Sequence, residues 1–155
     1  MMRWWLAVLA MAVALSAAGQ ASAPAPAWRG YDEAADARAG IERARASAAA
    51  GGKQVLLVFG ANWCGDSRAL DLAMTQGVLA PLVDARFVVV KVDVGRFDRN
   101  VDLAQRYGVP LKKGIPAIAV LAGDGSATFA TKDGELASAR SLSDEDLLRL
   151  FDRQF

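Results

Sequence analysis

Val55-Leu56-Leu57-Val58-Phe59-Gly60 is bulky and apolar throughout except at Gly60, and such a run reads as a strand buried on both faces. A break at Ala61-Asn62-Trp63 follows, and from Asp66 the chain resumes at helical spacing. Cys64, the only cysteine in 155 residues, falls at the hinge between strand and helix. Backbone N–H groups at a helix start have no intrahelical partner and carry the positive end of the macrodipole. Thiols placed there ionise below their ordinary value of about 8.5. The position therefore predicts an exposed, ionisable sulfur.

The N-terminus narrows the setting. Arg3, an apolar run from Trp4 to Leu15 and a small-residue close at Ala21-Ser22-Ala23 read as a secretory signal peptide, residues 1–23, cut after Ala23. The run is shorter than the roughly 20 residues that a spanning helix needs. No cysteine lies near the cut to carry a lipid, and no later stretch is apolar enough to span a bilayer, so no membrane contact is expected after cleavage. The chain has 18 Lys+Arg against 17 Asp+Glu, and Arg3 is the leader's one charge, so the mature chain is formally neutral. Neutrality leaves no electrostatic footprint for nucleic acid. Export implies an oxidising compartment, most simply a bacterial periplasm, where a lone cysteine suggests a reactive thiol or an intermolecular bridge. Histidine is absent, which excludes Cys-His and Ser-His nucleophile pairs and argues against a metal site. No cofactor is implied.

After a Pro/Ala-rich linker over 24–31, Ala34, Ala37, Ile41, Ala44 and Ala48 recur at three- and four-residue steps. They predict a helix from Asp32 to about Ala50, ended by Gly51-Gly52. The helix after Cys64 carries Ala69, Leu70, Ala73 and Met74 on one face and stops near Gly77. Val78 to Val83 reads as a helical turn with Pro81. Arg86 to Asp93 is a second strand, rich in β-branched residues, and Asp98 to Tyr107 a short helix. Gly114 to Leu121 is a third strand with Pro116 near its start. Gly123-Asp124-Gly125 turns into a fourth strand over Ser126 to Thr131, pairing as a hairpin. Ser143 caps a last helix whose buried face is Leu147, Leu148, Phe151 and Phe155. The alternation is that of one α/β domain over 32–155, with parallel pairing between the first two strands.

Trp63-Cys64-Gly65-Asp66-Ser67 after an apolar strand resembles the active-site stretch of the thioredoxin superfamily, most often Trp-Cys-Gly-Pro-Cys. The element order is similar to the thioredoxin fold from about Asp32 to Phe155: a central mixed four-stranded sheet flanked by helices, with an extra N-terminal helix. Secreted bacterial thioredoxin-like proteins share that helix. Gly114-Ile115-Pro116 resembles the family's cis-proline loop, which lies beside the reactive cysteine. The resemblance implies Cys64 as nucleophile, Trp63 and Pro116 as a substrate surface, and Gly65, Asp66, Ser67 and Ile115 as the surrounding site. It also locates a departure. The buried acid that thioredoxins hold six residues before the cysteine is here Val58, and their second cysteine is Ser67. Lys112 and Lys113, just before Gly114, are expected to favour the thiolate, and Asp66 to oppose it.

One sulfur limits the chemistry. A dithiol site releases its product when the second cysteine attacks the mixed disulfide. Ser67 cannot, so an adduct on Cys64 persists until another thiol resolves it. The chain then reads as a monothiol reductase or isomerase whose partners are protein thiols and disulfides or a small-molecule thiol. The alternative is a non-catalytic module that binds a partner peptide with Trp63 and Pro116. A disulfide-linked dimer through Cys64, or an inert buried thiol, are the plainer outcomes.

Overall fold

The computed structural model describes residues 28–154. Residues 1–23, where a signal peptide is expected, residues 24–27 and Phe155 lie outside the described residues. Helix α1 spans Ala37–Gly51, later than the spacing alone suggests. Asp32 turns its carboxylate onto the Ala34 N–H at 2.9 Å, a local bond that competes with helix, and Asp36 then caps α1 through Ala39 N–H. Gly52, at φ 64°, ends α1 in the left-handed conformation that glycine adopts without strain.

Strand β1, Gln54–Gly60, lies between β2, Phe87–Asp93, and β3, Ala117–Leu121, with β4, Ala127–Ala130, on the far edge. The β1–β2 pair is parallel, and the β1–β3 and β3–β4 pairs are antiparallel. Helix α2, Gly65–Thr75, and helix α3, Ala80–Arg86, cross from β1 to β2; Pro81 sits in the first turn of α3, where its missing N–H costs nothing. Helix α4, Val101–Arg106, begins three residues later than expected because Asn100, at φ 50°, donates Nδ2 to the Asp93 carbonyl and holds the preceding loop out of helix. The third strand begins at Ala117 rather than Gly114. Leu111–Lys113 form a 3-10 turn, and the Ile115–Pro116 peptide is cis.

Two apolar clusters sandwich the sheet. Leu57 and Phe59 of β1 face α1 and α4, while Leu56 and Val58 face α2, α3 and the last helix, α5, Asp144–Gln154. Leu147 and Phe151 bury as the pattern requires, but Leu148 is exposed and Leu150 packs at the edge instead. The stretch 28–31 is not linker. Tyr31 is buried, and Asn62 grips its backbone at both ends: Nδ2 donates to the Tyr31 carbonyl at 2.9 Å and Oδ1 accepts the Tyr31 N–H at 2.6 Å.

Ser143 caps α5 reciprocally: its hydroxyl accepts the Asp146 N–H at 3.1 Å and donates to the Asp146 carboxylate at 2.7 Å. That hydroxyl bond holds the Asp146 carboxyl below its ordinary 3.8. A carboxyl with a lower value folded than unfolded contributes in full above 3.8, and the contribution is lost as pH falls through the folded value. We predict that Asp146→Asn is slightly less stable than the parent at neutral pH, and that the difference closes below pH 3.8 in acid titrations followed by circular dichroism.

Candidate active site

Chain direction and sheet register assemble the site. Antiparallel pairing of Phe59 with Ala117 sets the end of β1 beside the start of β3, so the residues after Gly60 meet those before Ala117. Cys64 takes the N-cap position of α2 in extended backbone, at φ −88° and ψ 111°, and its carbonyl accepts the Arg68 N–H. Its thiol Sγ lies 3.5 Å from the Ile115 carbonyl oxygen, to which it donates. The sulfur and the cis-proline loop are thus in contact. The expectation of an exposed thiol is corrected: Cys64 is only 7% exposed, because Ile115 and the surrounding apolar cluster close over it.

Trp63 is 49% exposed and ordered by three neighbours. Its Nε1 donates to the Gly95 carbonyl at 2.8 Å, Phe97 meets it edge-on at 6.0 Å, and the Arg96 guanidinium lies over the ring at 5.7 Å. Phe97, at φ 67°, is a bulky residue held in the left-handed region and left 44% exposed. From Phe97 an apolar groove of about 410 Å³ runs past Val101 and Leu111 to Gly114.

Asp66 is tied down. Its carboxylate accepts the Arg140 N–H at 2.9 Å and pairs with Arg140 Nε at 3.2 Å, pinning the 3-10 turn Ala139–Ser141 to the mouth of α2. The guanidinium lies flat on Gly65, where a Cβ would meet it at 3.1 Å. The cation beside the reactive stretch is therefore Arg140. Of the two lysines expected there, Lys113 pairs with Asp133 at 3.8 Å, and Lys112 lines the apolar groove that ends at Gly114.

Ser67 is fully buried and receives the Ala61 N–H at 3.4 Å. Beside it lies a polar layer that the sequence reading missed. Parallel pairing sets Lys91 opposite Val58 and Asp93 opposite Gly60. Lys91 pairs with the buried Asp71 of α2 at 3.3 Å, covers the Tyr31 ring and donates to the Arg29 carbonyl, and Asp93 pairs with Arg99 at 3.3 Å. The Tyr31 hydroxyl enters this layer where Gly60 lacks a Cβ: an added carbon would meet Ser67 Oγ at 2.6 Å and the phenol closer still. Burial first, then the negative charge of Asp71, holds the phenol far above its ordinary range, so it keeps its proton. It makes no well-formed hydrogen bond among the described residues. A hydroxyl left so costs about 1–3 kcal/mol. Gly60 in an otherwise apolar strand was the available signal, since glycine inside a strand often marks a close approach.

A family model described as thioredoxin-like matches residues 36–123. The chain belongs to the thioredoxin-like family. A disulphide isomerase from Xylella fastidiosa Temecula1 is 47% identical to it over 79% of this chain and 94% of that one, with a TM-score of 0.75. The C-terminal domain of DsbD from Neisseria meningitidis, in the oxidised form, is 21% identical over 78% of this chain and 97% of that one, at a TM-score of 0.53. A thioredoxin from Thermus thermophilus is 23% identical over 72% and 81%, at 0.51. At these last two identities the likeness is one of fold. No curated protein matches the chain.

If Asp66 anchors the Arg140 turn of this thioredoxin-like domain, Asp66→Ala removes the acceptor of the Arg140 N–H and an ion pair. Stability should fall by about 0.5–1.5 kcal/mol, the exposed guanidinium adding little. Urea unfolding followed by tryptophan fluorescence reads this; an unchanged midpoint refutes the anchoring role.

Proposed function

We propose that this thioredoxin-like chain is an exported monothiol protein of thiol–disulfide exchange, with Cys64 as its nucleophile. The observation that carries the reading is the placement of Sγ at the N-cap of α2, 3.5 Å from the Ile115 carbonyl of the cis-proline loop. Membership of the thioredoxin-like family supports the class of chemistry, and the 47% identity to a disulphide isomerase supports disulfides of proteins as partners. Export to the periplasm rests on the leader-like residues 1–23 and agrees with the bacterial source of that relative.

The exchange balances with one sulfur. The Cys64 thiolate attacks a partner disulfide, an S–S bond breaks, and the departing sulfur leaves as a thiolate that takes a proton from water. An external thiolate then attacks the mixed disulfide, forms a new disulfide with the partner, and returns Cys64 to its starting state. Where the external thiolate belongs to the same partner, the result is isomerisation with no net redox change. Trp63, Pro116 and the groove below Phe97 offer the surface against which the partner chain lies. A second reading, capture of a partner peptide without turnover, is favoured by the same exposed aromatic pair and by the cover over Cys64.

Two measurements separate them. Native protein treated with an aromatic disulfide reagent should release one equivalent of chromophore, hold the other half until glutathione is added, and then discharge it. No release from folded protein would refute the exchange reading. Ser67→Cys should gain insulin-reducing activity over the parent, since it puts a resolving sulfur three residues after Cys64. A Ser67→Cys chain that forms the internal disulfide yet reduces nothing would favour binding alone.

A further inference from the structure

Phenylalanine would fill the place of Tyr31 without burying an unpartnered hydroxyl, and would give the more stable core. Yet three other residues are shaped to seat this phenol. Asn62 clamps the Tyr31 backbone from both sides. Gly30 passes so close that a Cβ would meet Asn62 Cγ at 3.1 Å and the Trp28 ring at 3.2 Å. Gly60 leaves the volume into which the hydroxyl points, against Ser67 Oγ. Ser67 is the third residue of α2 and Cys64 its N-cap, the two positions whose side chains reach each other's backbone in a capping box, so they lie side by side at the first turn.

We propose that Tyr31 is a positioning residue for Cys64: its hydroxyl holds the Ser67 hydroxyl so that the Ser67 proton faces the reacting sulfur. Resting as it does on the thiol-exchange reading, this gives Ser67 a use other than resolution. With the sulfur anionic, Tyr31 O–H donates to Ser67 Oγ and Ser67 O–H donates to Sγ. Neither hydroxyl is ionised and no proton leaves the pair. In the mixed disulfide the sulfur carries no charge and the arrangement relaxes; it tightens again as an external thiolate expels Cys64. A site without its own resolving sulfur gains from a better leaving group, and this pair supplies one.

The charges that face the phenol and the sulfur are Asp71 of α2, Lys91 and Asp93 of β2, and the Asp66–Arg140 pair over the first turn of α2. Tyr31→Phe alters none of them. The test is the pH profile of iodoacetamide alkylation of native Cys64 in the parent, Tyr31→Phe, Ser67→Ala and the double variant, with melting temperatures alongside. Tyr31→Phe should melt no lower than the parent, yet its profile should move to higher pH, slowing alkylation about tenfold on the acid side for a shift of one pH unit. Ser67→Ala should give a similar displacement, and the double variant no more than either. A Tyr31→Phe profile that superimposes on the parent's overturns the proposal, as do single displacements that simply add. A displacement accompanied by a markedly lower melting temperature also overturns it, assigning Tyr31 to packing. Parent protein that resists alkylation at every pH until it unfolds overturns the exchange reading as well.

Discussion

The register of β1 against β3 is the constraint on which the site depends. Phe59 opposite Ala117 means that β1 runs out toward Cys64 just where β3 begins after Pro116, so sulfur and loop meet although 51 residues separate them. A slip of one residue would turn Leu56 and Val58 to the α1 face and carry Ile115 away from the sulfur. What prevents the slip is burial on both sides. Both clusters are filled by β1 side chains, and Val55, Leu56, Leu57, Val58 and Phe59 are each at most 1% exposed. The chemistry inherits its geometry from the least polar stretch of the chain.

Much of this was legible beforehand because it follows from periodicity and punctuation. The apolar run of β1, the glycines after α1 and the Ser143 cap each act locally, and each element appears within a few residues of its expected place. The contact of Cys64 with the Ile115 loop was legible through resemblance, not through any local rule. The misreadings share a different cause. Lys112 and Lys113 stand next to the loop in sequence, in a 3-10 turn at Leu111–Lys113 that pairs Lys113 with Asp133, a contact no local pattern announces. Arg140 supplies the nearby cation from a turn 74 residues beyond Asp66, a separation that no window along the chain spans. Residues 28–31 read as linker because their anchor, Asn62, acts through two backbone bonds rather than through composition.

The loss of an acid at Val58 also looks different with the fold in hand. Val58 is fully buried among apolar neighbours, and a carboxylate there would have faced α2. The fold nevertheless keeps a buried carboxylate on that side of the sheet, contributed by Asp71 of α2 and paired with Lys91 across from Val58. Removing Lys91 would strand the buried Asp71 charge, at a cost of about 3–5 kcal/mol. A fixed pair of this kind sets a local field beside the Tyr31 phenol. It suits a site that needs a constant environment for one sulfur more than one that must deprotonate a second.

The same economy explains the cover over Cys64. In a dithiol site the adduct is brief because the second sulfur ends it. On the proposed exchange, an adduct on Cys64 would last as long as external thiols are kept away, so access to Sγ would govern the lifetime of the captured state. At 7% exposure, Cys64 offers little surface to a thiol arriving by diffusion. A tethered thiol, on the partner's own chain, enjoys a high effective concentration. On the proposed exchange, sheltering the sulfur would bias resolution toward the partner's next thiol, and so toward rearrangement of disulfides over their net reduction.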